Sequence, residues 1–120
     1  MALNIPSLLD LLVSKLQEAP AELNDIDAVF QLDIENGSVQ SYQLTVSENK
    51  AAWYHGRPFP ATCTVSINEK DLDKLLAGSL NPSTAVLTGR IKIKGDRSQL
   101  LKLQAALSRH FTDLPLILPL

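Results

Sequence analysis

The chain is short of residues that cross-link or ligate. Its 120 residues include a single cysteine, Cys63, and two histidines, His55 and His110. An intrachain disulfide needs two thiols, and a four-ligand zinc site needs more donors than this set supplies, so disulfide scaffolds and zinc ribbons are excluded. Aromatics make up only 5%, which leaves a mostly aliphatic core. No apolar run approaches the roughly 18 residues that cross a bilayer, and Met1 to Pro6 carry no Lys or Arg. These absences lead to the expectation of a soluble, cytoplasmic protein. The glycines are dispersed, so none forms a clustered phosphate-binding loop.

What is present is a globular composition, 45% hydrophobic and 20% charged, at a length suited to one domain. Net charge is −2, unevenly spread: residues 1–49 carry eight acids and one base, and residues 50–120 carry ten bases and five acids. Ser7 is placed to cap a first helix whose apolar positions, Leu8, Leu9, Leu11, Leu12, Val13 and Leu16, form a stripe wide enough for burial on more than one side. From Ala28 to Glu35, Phe30, Leu32 and Ile34 alternate with polar residues, as in a half-buried strand. Asn36-Gly37 reads as a two-residue hairpin turn. Val39 to Val46 returns with Tyr42, Leu44 and Val46 on one face, a short strand follows at Ala51 to His55, and Thr62 to Ile67 alternates again after Arg57-Pro58-Phe59-Pro60. This much predicts an antiparallel meander. Asn68 then starts a helix bearing Leu72, Leu75 and Leu76 and ending at Gly78. Asn81-Pro82 opens a second short helix, and Gly89 to Gly95 forms a strand with Ile91 and Ile93 on one side and Arg90, Lys92 and Lys94 on the other. Asp96 and Gln99 make a capping pair for a last helix carrying Leu100, Leu103 and Leu107. The fold class is α+β: a single, mostly antiparallel sheet of about five strands with helices on one face.

The stretches Leu75-Leu76-Ala77-Gly78-Ser79-Leu80-Asn81-Pro82 and Ala85-Val86-Leu87-Thr88-Gly89-Arg90-Ile91-Lys92-Ile93-Lys94-Gly95-Asp96 resemble the central signature of the sterol carrier protein type 2 domain. The likeness runs from about Asp25 to His110. It implies a non-enzymatic carrier that encloses a fatty acyl chain, sterol-like molecule or isoprenoid in an apolar tunnel between sheet and helices, with no catalytic motif and no cofactor. The walls it implies are Phe30, Leu32, Leu44, Trp53, Leu76, Leu80, Val86, Leu87, Ile91, Leu103, Leu107 and Ile117. A free-standing domain of this length is similar to bacterial members, some of which are accessory lipid-holding factors in quinone biosynthesis. An interaction module that scaffolds a lipid-metabolising complex without carrying ligand is therefore the alternative. Leu118-Pro119-Leu120 is not a peroxisomal ending.

The domain reading is one carrier-like unit over 1–120: an N-terminal helical segment at 1–24, a core at 25–111 and an apolar tail at 112–120. Each feature also has a plain reading. His55 and Cys63 could pair as base and nucleophile, but Cys63 alternates with Val65 and Ile67 on a core face and no third group orients the pair. Lys92 and Lys94 either form a solvated face opposite the acidic half or dock transiently on anionic membrane; without aromatics, that face does not suit nucleic acid. Trp53 either fills core or edges the cavity, and leucine stripes do not distinguish a filled core from a hollow one. The tail, Leu114 to Leu120, packs on its own domain, covers the cavity, or inserts into a neighbour to make a homodimer.

Overall fold

The structure is a computed structural model that describes residues 4–110. Helix α1 spans Ile5–Gln17, with the Asn4 side chain accepting from the Ser7 amide. The cap is therefore Asn4, one turn ahead of the position expected at Ser7. The buried stripe is Ile5, Leu9, Leu12 and Leu16, narrower than expected, and Leu11 is exposed. A 3-10 turn at Pro20–Leu23 leads into β1 (Ala28–Asn36), β2 (Ser38–Ser47), β3 (Lys50–His55) and β4 (Cys63–Asn68). Then follow α2 (Glu69–Leu76), α3 (Pro82–Leu87), β5 (Ile91–Gly95) and α4 (Arg97–His110).

The β1–β2 turn is tighter than two residues: Asn36 still pairs with Ser38, and Gly37, at φ 73°, is the tip. A two-residue turn does occur between β2 and β3, where Glu48 and Asn49 both take positive φ, 52° and 61°. The Asn49 side-chain amide also donates to Pro20 and Asn24 of the 3-10 turn.

The five strands form one sheet in the order β3-β2-β1-β4-β5. Three pairings are antiparallel, but β4 runs parallel to β1, with Phe30 opposite Cys63 and Ile34 opposite Ile67. The meander thus stops at β3, and β4 is inserted beside β1. Alternation identifies which face a residue occupies but not which strand lies beside it, and a parallel pair needs a crossover.

The segment from Gly56 to Thr62 is the last leg of that crossover and lies across β2 and β1. Gly56 N–H donates to the Ser41 carbonyl at 2.7 Å, and Thr62 exchanges two bonds with Val29. Between these ends, Gln43 holds Phe59 by both main-chain groups, accepting from its N–H at 3.1 Å and donating to its carbonyl at 2.8 Å. Gln43 also donates to Gln31 at 3.0 Å, Gln31 donates to Asp33 at 3.0 Å, and Ser41 donates to the same Asp33 oxygen at 2.8 Å. Gln43 is 0% exposed, so this polar ladder satisfies groups that burial would otherwise leave costly.

Strand register separates the two faces. Ala28, Phe30, Leu32 and Ile34 align with Val46, Leu44, Tyr42 and Gln40 of β2, and Phe30, Leu32 and Ile34 with Cys63, Val65 and Ile67 of β4. Ile91 and Ile93 complete this face. It packs against α1, α2 and α4, and the hydrophobic core lies between. The capping pair expected at α4 is split: Asp96 accepts from the Ser98 amide, whereas Gln99 reaches out to accept from the Asp27 amide at 3.3 Å. With Lys102 donating to the Asp25 carbonyl, that bond ties α4 to the approach to β1.

Candidate functional site

Between the sheet and its helices lies an apolar hollow of about 140 Å³. Phe30, Leu32, Tyr42, Leu44, Val65, Ile67 and Ile91 form its floor; α1 contributes Leu9 and Leu12, α2 contributes Leu72 and Leu75, and α4 contributes Leu100, Leu103 and Leu107. Gln31 also borders it, but its side chain belongs to the ladder on the other face, so only its main chain faces inward. Tyr42 brings the only hydroxyl among these residues, and its ring sits 5.1 Å from that of His55 and 6.3 Å from that of Trp53. In volume and apolar lining it is comparable to engineered core cavities of about 150 Å³ that take up benzene. A fully enclosed void of that volume would cost about 3 kcal/mol relative to a packed interior, at about 24 cal/mol per Å³, which sets an upper bound here.

Of the residues expected at the wall, Phe30, Leu32, Leu44, Ile91, Leu103 and Leu107 border this hollow. Trp53 does not: it is on edge strand β3, half-buried, with its indole N–H donating to Asp10 of α1 at 2.7 Å. Leu80 is buried in the link between α2 and α3, and Val86 packs against the core from α3; neither borders the hollow. Leu87 points to solvent, 86% exposed. Helix α3 has only six residues and buries Ala85, with Val86 half-buried; the next residue is turned about 100° away. Ile117 and the rest of the tail lie outside the described residues, as does the Leu76 side chain. Leu9, Leu12, Leu72 and Leu75 were visible in the sequence as helix stripes, and Tyr42 and Val65 by strand parity, but none was singled out as wall.

The supposed base and nucleophile are apart. His55 is on β3 and Cys63 on β4, with β2 and β1 between them, roughly three strand spacings of about 4.8 Å. Burial, with the Asp96 carboxylate adding to it, pushes the Cys63 thiol above its ordinary value, against a smaller opposing pull from Arg97. A buried thiol so shifted is a poor nucleophile. Lys92 and Lys94 are exposed on the face away from the hollow, paired with Ser66 and Thr64 of β4, and Arg90 lies 3.8 Å from Asp71. Among the described residues no helix is long and apolar enough to cross a membrane, and no three acidic, His or Cys side chains are grouped to hold a metal.

Residues 8–108 match the model of the SCP-2 sterol transfer family. The chain belongs to that family. Sterol carrier protein 2 of Gallus gallus is 31% identical over 94 residues, covering 75% of this chain but 17% of that protein. This member therefore spans under a fifth of the length of that relative. The sterol carrier protein domain 2 of Helicoverpa armigera has the same fold, with a TM-score of 0.69, 20% identity, and 85% and 84% of the two chains covered. So has the UbiJ-SCP2 ubiquinone synthesis protein, with a TM-score of 0.61, 23% identity, and 91% and 89% covered.

Proposed function

We propose that this SCP-2 family member is a non-enzymatic carrier that holds one apolar lipid, a fatty acyl, sterol-like or isoprenoid molecule, in the hollow between sheet and helices. The observation that carries this reading is the lining: almost wholly aliphatic side chains, contributed by the sheet and three helices, around a space that a folded core would otherwise fill. Longer ligands need the helices to part, since the hollow is about 140 Å³. Organic extraction of the purified protein, followed by mass spectrometry and displacement of a fluorescent fatty acid, tests it. Absence of lipid together with absence of displacement refutes it.

Lys92 and Lys94 serve the same reading by steering the carrier to anionic membrane. Their joint replacement by Gln slows transfer to anionic vesicles at low salt, and high salt mimics the change by screening. Equal low-salt rates for the two proteins defeat this role. The second reading, an accessory module that scaffolds a lipid-metabolising assembly without ligand, takes its support from likeness to the UbiJ-SCP2 ubiquinone synthesis protein. A protein that binds its partners while remaining lipid-free would favour it.

A further inference from the structure

A second, smaller space, about 90 Å³, is lined by Ile5, Ile34, Gln40, Tyr42 and Glu69. Its position relative to the hollow is the same on every element that borders both. On α1 it takes Ile5, one turn before Leu9; on α2 it takes Glu69, one turn before Leu72. On β1 it takes Ile34, the next same-face residue after Leu32, and on β2 it takes Gln40, the next same-face residue beyond Tyr42. Four elements thus continue the hollow in one direction, and Tyr42 borders both spaces. Along that direction the lining changes from aliphatic to hydrogen-bonding: the phenol of Tyr42, the amide of Gln40, and the half-buried carboxylate of Glu69.

We infer that the two spaces are one amphipathic channel, and that its end at Tyr42, Gln40 and Glu69 seats an uncharged, hydrogen-bonding lipid head such as a hydroxyl, while disfavouring a carboxylate. This rests on the carrier reading and specifies the ligand class. The electrostatic balance decides the preference. The N-termini of α1 and α2 both reach this end, and each offers an anion a partial positive charge of about +0.5. Helix α2 already carries Glu69 and Asp71 in its first turn, whereas α1 has no acid there. The full negative charge of Glu69 offsets the two N-termini together, so no net positive charge is left for a second anion, which would also give up hydration that a hydroxyl does not need to lose; among the described residues no cation lines this space. A hydroxyl head can donate to Glu69 and accept from Gln40 without bringing charge.

The experiment is equilibrium displacement of a fluorescent lipid from the full chain by 1-hexadecanol and by palmitate, two probes with the same chain length and different heads. The wild type should bind hexadecanol at least about tenfold more tightly than palmitate at neutral pH, because the carboxylate gives up more hydration on entry and is repelled by Glu69. Glu69→Gln should narrow the gap and Glu69→Lys should reverse it, with hexadecanol affinity held within about threefold in both. Equal or tighter palmitate binding by the wild type, or discrimination unchanged in Glu69→Lys, overturns this inference and leaves the carrier reading standing. Failure of both probes to displace, together with absence of any bound lipid, overturns both.

Discussion

Val65 offers the most direct test of whether the hollow is working space. It lies mid-sheet on β4, opposite Leu32 on one side and Ile93 on the other, half-buried and bordering the hollow. Val65→Phe keeps a residue suited to strands and projects a ring into the void. Filling all 140 Å³ would recover at most about 3 kcal/mol. The ring fills only part of it, and overpacking returns about 1 to 3 kcal/mol. The net change should stay within about 1 kcal/mol of zero, a melting shift of no more than about 5 °C either way. Lipid competes for the same volume. For the wild type, lipid at about a hundred times its dissociation constant adds about 2.7 kcal/mol, roughly 10 °C or more in melting temperature; for Val65→Phe that increment should vanish. Thermal melts with and without added lipid, alongside lipid content by mass spectrometry, give the answer. A folded Val65→Phe protein that carries lipid at the wild-type ratio and is stabilised by it to the wild-type extent would refute the assignment of the hollow.

Other perturbations probe the frame around it. Gly95, at φ 95°, would drive an added Cβ against the Thr62 carbonyl oxygen, so Gly95→Ala should cost at least about 2 kcal/mol in denaturant unfolding; a neutral change would contradict the β4–β5 geometry. Gln43→Leu removes both bonds to Phe59 and the one to Gln31, and should cost about 2 to 4 kcal/mol by leaving buried groups unpaired. Because the ladder is on the other face, lipid affinity should not change at temperatures where the variant is folded. Cys63 is 1% exposed, so native protein should resist alkylation that proceeds readily after unfolding. Its thiol titrates higher folded than unfolded, so the stability it contributes is fully present below the ordinary thiol range and is lost as pH rises through the folded value. Stability measured across that alkaline window should fall; a rise would reverse the assignment. Cys63→Ser should cost about 1 to 3 kcal/mol while leaving lipid binding within a few-fold.

The strands were legible because Phe30, Leu32 and Ile34 alternate with Gln31, Asp33 and Glu35, a signal that only a half-buried extended chain produces. Helices α2 and α3 were legible from Asn68 and Asn81, whose side chains cap them as their types suggest. Pairing order was not, since a two-residue period carries no information about neighbours, and the parallel seam between β1 and β4 went unseen. The ladder on the far face was hidden for a related reason: Gln31 and Gln43 look like ordinary outward positions until the crossover covers them. At the hollow, parity found the strand residues, whereas the stripes of α1 and α2 read the same for a packed interface and a void. Leu87 was misread because a helix of one and a half turns has too few residues to define a face.

The insertion of β4 beside β1 also sets an order of assembly. Phe30 meets Leu44 across a hairpin of 14 residues, but meets Cys63 only after 33. Closing the longer loop costs only about 1 kcal/mol more in chain entropy, yet it delays the seam in time. On the ribosome, β1, β2 and β3 can fold back on one another while the inner edge of β1 remains unpaired, its N–H and C=O groups open to any passing strand until Asn68 has emerged. For that interval the future centre of the sheet is an edge, and nascent-chain aggregation should be greatest for chains halted where β3 has emerged from the ribosome and β4 has not.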